Sequence, residues 1–250
     1  MRAGHLEIET KFDVSPSFVV PDLIGTAGVA TADAPVEHAL EARYFDTADL
    51  RLAGARITLR RRTGGPDDGW HVKLPAARDA RVELRRPLGR AARPPKAVLD
   101  PLAGVLRGEP PVPVAELHTR RVVTVLRDAD GRAMAEIADD VVTATRLTGP
   151  RGAAEVRSWR EVEVELIDGP AELLGPVGER LVAAGAEWTA RASKLARALG
   201  LDEVDRPAPP GRAAEPRAAD VLLGVLRDQV TALQLADVAV RTGQDDAIRR

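Results

Sequence analysis

Glu161-Val-Glu163-Val-Glu165 alternates acid and aliphatic for five residues, a period of two that an extended strand turns into two distinct faces. On such a strand the three carboxylates form one row, with neighbours about 6.8 Å apart at ordinary strand rise. A row of one sign repels itself unless something of opposite sign faces it. Glu7 and Glu9 make a second acidic row, in the stretch His5–Val14, where Leu6, Ile8 and Phe12 take the other face. Elsewhere the matching positions are cationic: Arg60 and Arg62, Lys73, Arg81 and Arg85, and Arg121.

Alternation of the same kind recurs around Ala39–Asp46, Ala55–Arg62, Trp70–Leu74, Arg81–Arg85, Glu116–Leu126, Ala133–Asp140 and Glu155–Ile167. Thr63–Gly69 and Asp128–Gly131 read as hairpin connections. Eight or so strands joined mainly by short turns predict an α+β chain built on an antiparallel sheet, closed or nearly closed into a barrel. Helical spacing is confined to Pro95–Leu106, Ala171–Ala184 and a short segment Ser193–Leu199 with serine at a plausible cap. Asp205–Pro216 has too few apolar residues to pack and reads as a linker, and Ala218–Val240 as one amphipathic helix with an apolar stripe to cover. The expected division is 1–201, a linker over 202–217, and a helical segment over 218–250.

Composition narrows the function. The 36 Lys+Arg nearly balance 38 Asp+Glu, which argues against a bulk basic nucleic-acid binder and puts any electrostatic function in the placement of charge. Without cysteine there are no disulfides, thiolate metal sites or cysteine nucleophiles. No apolar run approaches a membrane span, and the charged start does not read as a secretory signal, so a cytoplasmic protein without a membrane partner is expected. Only four of the cations are lysines, Lys11, Lys73, Lys96 and Lys194, against 32 arginines. Lysine offers a compact ammonium where arginine is otherwise the default.

Carboxylates without His or Cys partners suit Mg²⁺ or Mn²⁺. Arginines and lysines suit a multiply charged oxyanion, with phosphate the obvious candidate. Acidic and basic walls in one compartment therefore describe a site for a metal–polyphosphate complex.

Glu7-Ile-Glu9-Thr-Lys11 resembles the ExExK signature of the CYTH superfamily, the triphosphate tunnel metalloenzymes. The resemblance continues in order through Tyr44-Phe-Asp46-Thr47, Leu59-Arg60-Arg61-Arg62, Trp70-His-Val-Lys73, Arg81-Val-Glu83, Arg120-Arg121, Glu136 with Asp139-Asp140, the glutamate row, and Ser193-Lys194. It implies an eight-stranded antiparallel barrel around a charged tunnel that binds triphosphate groups with divalent metal. By position it implies Glu7, Glu9, Asp140, Glu161 and Glu163 as metal ligands. Lys11, Arg60, Arg62, Lys73, Arg121 and Lys194 would hold phosphates, with Lys11 and Lys73 the candidates for catalytic work. Arg81, Glu83, Arg85, Glu136 and Glu165 would line the tunnel. Asp140 is preferred to Asp139 because it shares the parity of Glu136.

Tyr44 and Asp46 read as fold and turn residues, and Trp70 as packing; His71 shares the parity of Lys73 but has no partner histidine. Arg61 and Arg120 fall on the opposite faces from their neighbours and should be solvated, and Asp245 and Asp246 belong to a charged tail. The expected activity is hydrolysis of the terminal phosphoryl group of a triphosphate, inorganic triphosphate first, because seven Phe, Trp and Tyr leave few rings to stack a base. An adenylate cyclase on the same tunnel and a non-catalytic polyphosphate-binding module are the alternatives. The segment 218–250, with Leu235-Ala-Asp237-Val-Ala-Val-Arg241, resembles the opening of a CHAD domain, a helical module associated with polyphosphate. Its helix is also the expected surface for self-association.

Overall fold

The computed structural model describes residues 4–77, 80–147, 154–189, 193–201 and 218–243. The expected linker, 202–217, falls wholly outside them, and so do Asp245 and Asp246. In chain order the elements are β1 (His5–Asp13), β2 (Thr31–Ala32), β3 (Val36–Asp46), α1 (Arg51–Gly54), β4 (Thr58–Thr63), β5 (Gly69–Ala77) and β6 (Ala80–Arg86). There follow α2 (Lys96–Leu99), α3 (Ala103–Leu106), β7 (Val112–Arg127), β8 (Ala133–Arg146) and β9 (Glu155–Leu166). The last are α4 (Leu174–Ala183), β10 (Glu187–Trp188), α5 (Lys194–Leu199) and α6 (Ala218–Thr242).

Eight strands pair antiparallel in the order β1-β6-β5-β4-β3-β7-β8-β9, and β9 pairs back onto β1. The sheet is thus a closed barrel, which removes the free edges an open sheet would leave. Closure sets Lys11 opposite Glu163 and Glu9 opposite Glu165. The two-residue strands β2 and β10 attach to β7 and β1.

The alternation read in the sequence sends charge inward, so most of the hydrophobic packing lies outside the barrel wall. Phe12, Ile137, Val162 and Val164 face outward under Leu174, Val177 and Leu181 of α4. Leu59, Trp70, Val72 and Leu74 do the same under α2, α3 and Val238 of α6. A third cluster plugs one end of the barrel, where Leu195, Ala198 and Leu199 of α5 pack on Leu117, Val142, Ala144 and Trp159. Ser193 caps α5 through its side chain, which accepts the amide N–H of Ala196 at 3.1 Å, and Gly200 ends it in a left-handed turn.

Several expectations shift in detail. Ala55 does not open a strand: it closes the short helix α1, which the alternation concealed, and β4 begins at Thr58. Asp46 organises that corner by accepting backbone N–H groups from Thr47, Leu52 and Ala53 at 2.7–2.9 Å. The helix expected over 95–106 is broken into α2, a 3₁₀ turn at Asp100–Leu102 and α3, with Pro101 inside the turn. The segment from Ala171 likewise opens with a 3₁₀ turn before α4.

Candidate active site

The barrel encloses a cavity of about 300 Å³, lined almost entirely by side chains from the inward faces of its strands. All sixteen charged residues singled out in the sequence either line it or touch a residue that does. Eight are acids and eight are bases, so the wall is formally neutral over that set.

The carboxylates divide into two groups. Asp140, Glu161 and Glu163 converge, each offering an oxygen within 4.8 Å of the others, and all three are buried. Glu7 and Glu9 stand outside this trio: Glu7 meets Lys73 at 2.6 Å, and Glu9 meets Lys11 at 3.0 Å. The choice between the paired aspartates follows their parity. Asp140 faces inward, whereas Asp139 forms a bidentate pair with Arg160, at 2.9 and 2.7 Å.

Cations reach the trio from three elements. Arg121 of β7 forks onto Asp140 at 2.8 and 2.6 Å and reaches Glu163 at 2.8 Å. Lys11 of β1 bonds Glu163 as well. Lys194, at the first position of α5, lies closest to all three, with Nζ 2.9 Å from Asp140, 2.6 Å from Glu161 and 2.8 Å from Glu163. The sequence reading assigns Lys194 to phosphate; here its ammonium sits among the expected metal ligands.

These contacts fix the protonation of the wall. Burial would raise the Glu163 carboxyl, but Lys11, Lys194 and Arg121 hold it well below the usual range. Burial would strip the proton from Lys11 and Lys194, yet the surrounding carboxylates push both above the ordinary lysine value. Both are thereby held as ammonium groups. Glu165 has the opposite fate: burial, with Glu7 and Glu9 beside it, pushes it up to about 7.

The other half of the cavity is cationic. Arg60 donates to the Tyr44 hydroxyl at 3.3 Å and lies 3.7 Å from Glu83. Arg62 pairs with Asp67 on the β4–β5 loop; burial and the nearby Arg60 and Arg121 bring its guanidinium down to about 9. Arg81 and Arg85 line the same side, Arg85 pairing with Glu83. His71 does not line the cavity: it is buried behind Glu83, its Nδ1 2.8 Å from that carboxylate and its Nε2 2.8 Å from the Asp67 carbonyl oxygen. A carbonyl only accepts, so Nε2 carries a proton, while burial brings the imidazole down to about 4.

Three lining features escape the sequence reading. Asp67 comes from a turn, where no alternation flags it, and Tyr44 has the right parity on β3 but reads as a fold residue. His38 and Leu40, with Val123 and Ile167, add a less charged stretch of wall. Arg120 is exposed and paired with Glu37, as its parity predicts, while Arg61 is only half exposed.

The donor set fits a hard divalent cation: three convergent, buried carboxylates and no nitrogen or sulfur ligand. Among the described residues no helix is long and apolar enough to cross a membrane.

Comparison with known proteins agrees with the geometry. The family model for the CYTH domain matches residues 5–204. Two uncharacterized proteins of Mycobacterium tuberculosis are 40% identical to the chain over 264 residues, covering 99% of this chain and 50% of each relative. The chain thus spans about half the length of the curated relatives it matches. Among solved structures, a candidate adenylate cyclase from Bacillus halodurans superposes with a TM-score of 0.54 at 18% identity, covering 78% of this chain and 98% of that one. A Hippeastrum protein, described as a candidate adenylyl cyclase with a dominant triphosphatase activity, gives a TM-score of 0.43 at 18% identity, over 78% of this chain and 95% of that one.

Proposed function

Starting from a chain that belongs to the CYTH domain family, we propose that it is a divalent-metal-dependent triphosphatase acting on the terminal phosphoryl group of inorganic or organic triphosphate. The observation that carries this reading is the meeting of a buried carboxylate trio and a cationic wall in one enclosed cavity. Asp140, Glu161 and Glu163 would hold Mg²⁺ or Mn²⁺, with Glu7 and Glu9 lining the same cavity. When bound, such an ion neutralises phosphate charge and polarises the transferred group.

The chain's own residues do the remaining work. Arg60, Arg62, Arg81 and Arg121 present forked guanidinium donors, and Lys11 and Lys73 supply compact ammonium charges. Phosphoryl transfer develops charge on the transferred and leaving oxygens, so cations already in place lower the barrier without reorganising. Lys11 and Arg121, each held against wall carboxylates, stay charged and in place.

Inorganic triphosphate is the preferred substrate, since among the described residues Tyr44 is the only Phe, Trp or Tyr lining the cavity. Residues 218–250 are proposed as the start of a CHAD-like helical module, because α6 carries apolar residues on the face turned away from the barrel.

The test is phosphate release from tripolyphosphate, thiamine triphosphate, ATP and long-chain polyphosphate under Mg²⁺ or Mn²⁺, with product identification. Metal-dependent release of the terminal phosphate is expected, lowered at least about a hundredfold in Glu161→Gln/Glu163→Gln with an unchanged circular-dichroism spectrum. Cyclic AMP and pyrophosphate from ATP, or tight polyphosphate binding without turnover, would overturn the reading.

A further inference from the structure

The Lys194 ammonium and a divalent cation claim the same place. Nζ lies 2.6–2.9 Å from one oxygen of each carboxylate in the trio, the only group of three or more close metal-ligating side chains among the described residues. A cation contacting those three oxygens has to sit where Nζ sits, and the two charges would collide. The backbone of Lys194 is fixed, because Ser193 caps α5 and Leu195 is buried in the barrel plug. Its four-carbon side chain is not fixed in the same way, so the ammonium can leave the trio while the helix stays.

From this geometry we infer that Lys194 is an exchangeable counter-cation: it neutralises the trio until a divalent ion replaces it, and then turns to the polyanion. The inference rests on the metal-site reading above. With the sixteen charges of the wall formally balanced, a polyanion entering alone leaves an excess of negative charge, and a divalent ion entering alone leaves an excess of positive. Exchange links the two. A polyanion that draws Lys194 out of the trio frees the carboxylates, and an ion that takes the carboxylates frees Lys194. Each therefore strengthens binding of the other by the same factor.

Mn²⁺ binding to the full chain, followed by loss of the free-ion EPR signal, tests this with and without the bis-methylene analogue of tripolyphosphate. In the native chain the analogue should tighten Mn²⁺ binding about tenfold or more. Lys194→Met and Lys194→Gln should bind Mn²⁺ alone about tenfold more tightly than the native chain, with most of the analogue's effect gone. Lys73→Met removes a cation of the same cavity that pairs with Glu7 instead, and its gain should stay below about threefold, which separates place from mere charge.

If both Lys194 variants bind Mn²⁺ no more tightly than the native chain, or Lys73→Met gains as much, the exchange is overturned. So is it if the analogue leaves native Mn²⁺ binding unchanged, a result that needs no variant to fold. In each case, loss of Mn²⁺ binding in Glu163→Gln would leave the metal site itself standing. No Mn²⁺ binding by any form, with or without analogue, would overturn both.

Discussion

A single side chain shows how far burial and neighbours can be played against each other. Glu163 and Glu165 are two residues apart on one face of β9, yet the first is held ionised by three cations and the second is pushed up to about 7. In the unfolded chain Glu165 titrates near its ordinary value of 4.5. Between those two values the native state holds a proton that the unfolded state has released, so this residue's contribution to stability is present below pH 4.5 and lost as the pH rises through about 7. Going from about pH 5 to pH 8, the native chain should lose on the order of 2 kcal/mol more stability than Glu165→Gln. Urea unfolding of both at each pH checks it, and parallel pH profiles would contradict it. Parity in the sequence was enough to turn Glu7, Glu9, Asp140, Glu161, Glu163 and Glu165 toward a common interior. It could not show which of them converge. Lys194 was the least legible, because it enters from a helix, where no two-residue period reports direction.

Among the elements, the β4–β5 hairpin carries a demand that the strand pattern does not announce. Gly64 adopts φ +91°, and a Cβ there would lie 1.9 Å from the Ala39 carbonyl oxygen. Left-handed backbone and a clash with main chain act together, so Gly64→Ala should cost about 2–4 kcal/mol. A thermal melt measures it. The same loop delivers Asp67 to Arg62, so the variant should also disturb triphosphate affinity more than its distance from the carboxylate trio suggests. The strands were legible because charged and apolar residues alternate cleanly in stretches such as Leu6–Glu9 and Glu161–Leu166. The helices were harder to read: α1 has four residues, too few to display a 3.6-residue period, and Pro101 divides what spacing alone joins.

For the molecule as a whole, α6 joins the barrel on one side and leaves the other bare. Leu235 and Val238 pack beside α2 and α3, while Leu222, Leu226 and Leu233, roughly opposite on the helix, are 60%, 51% and 72% exposed. An apolar stripe of this size favours association. Sedimentation equilibrium should show concentration-dependent self-association of the native chain, abolished by Leu226→Glu with Leu233→Glu, and with the barrel's melting temperature changed by less than about 2 °C. A native chain that stays monomeric at high concentration would contradict this.

The seam between β1 and β9 has a further consequence, for the order in which the chain is made. Lys11 and Glu163 touch across 152 positions of sequence, so the acidic wall meets its first strand only after almost the whole domain has left the ribosome. Until then the arginines of β4 to β6 have only nearby acids to face, Glu83 for Arg60 and Arg85 and Asp67 for Arg62 among them. Contacts this distant also make folding slow. A barrel cut short before β9 would retain most of its strands but lack Glu161 and Glu163, two of the three converging carboxylates.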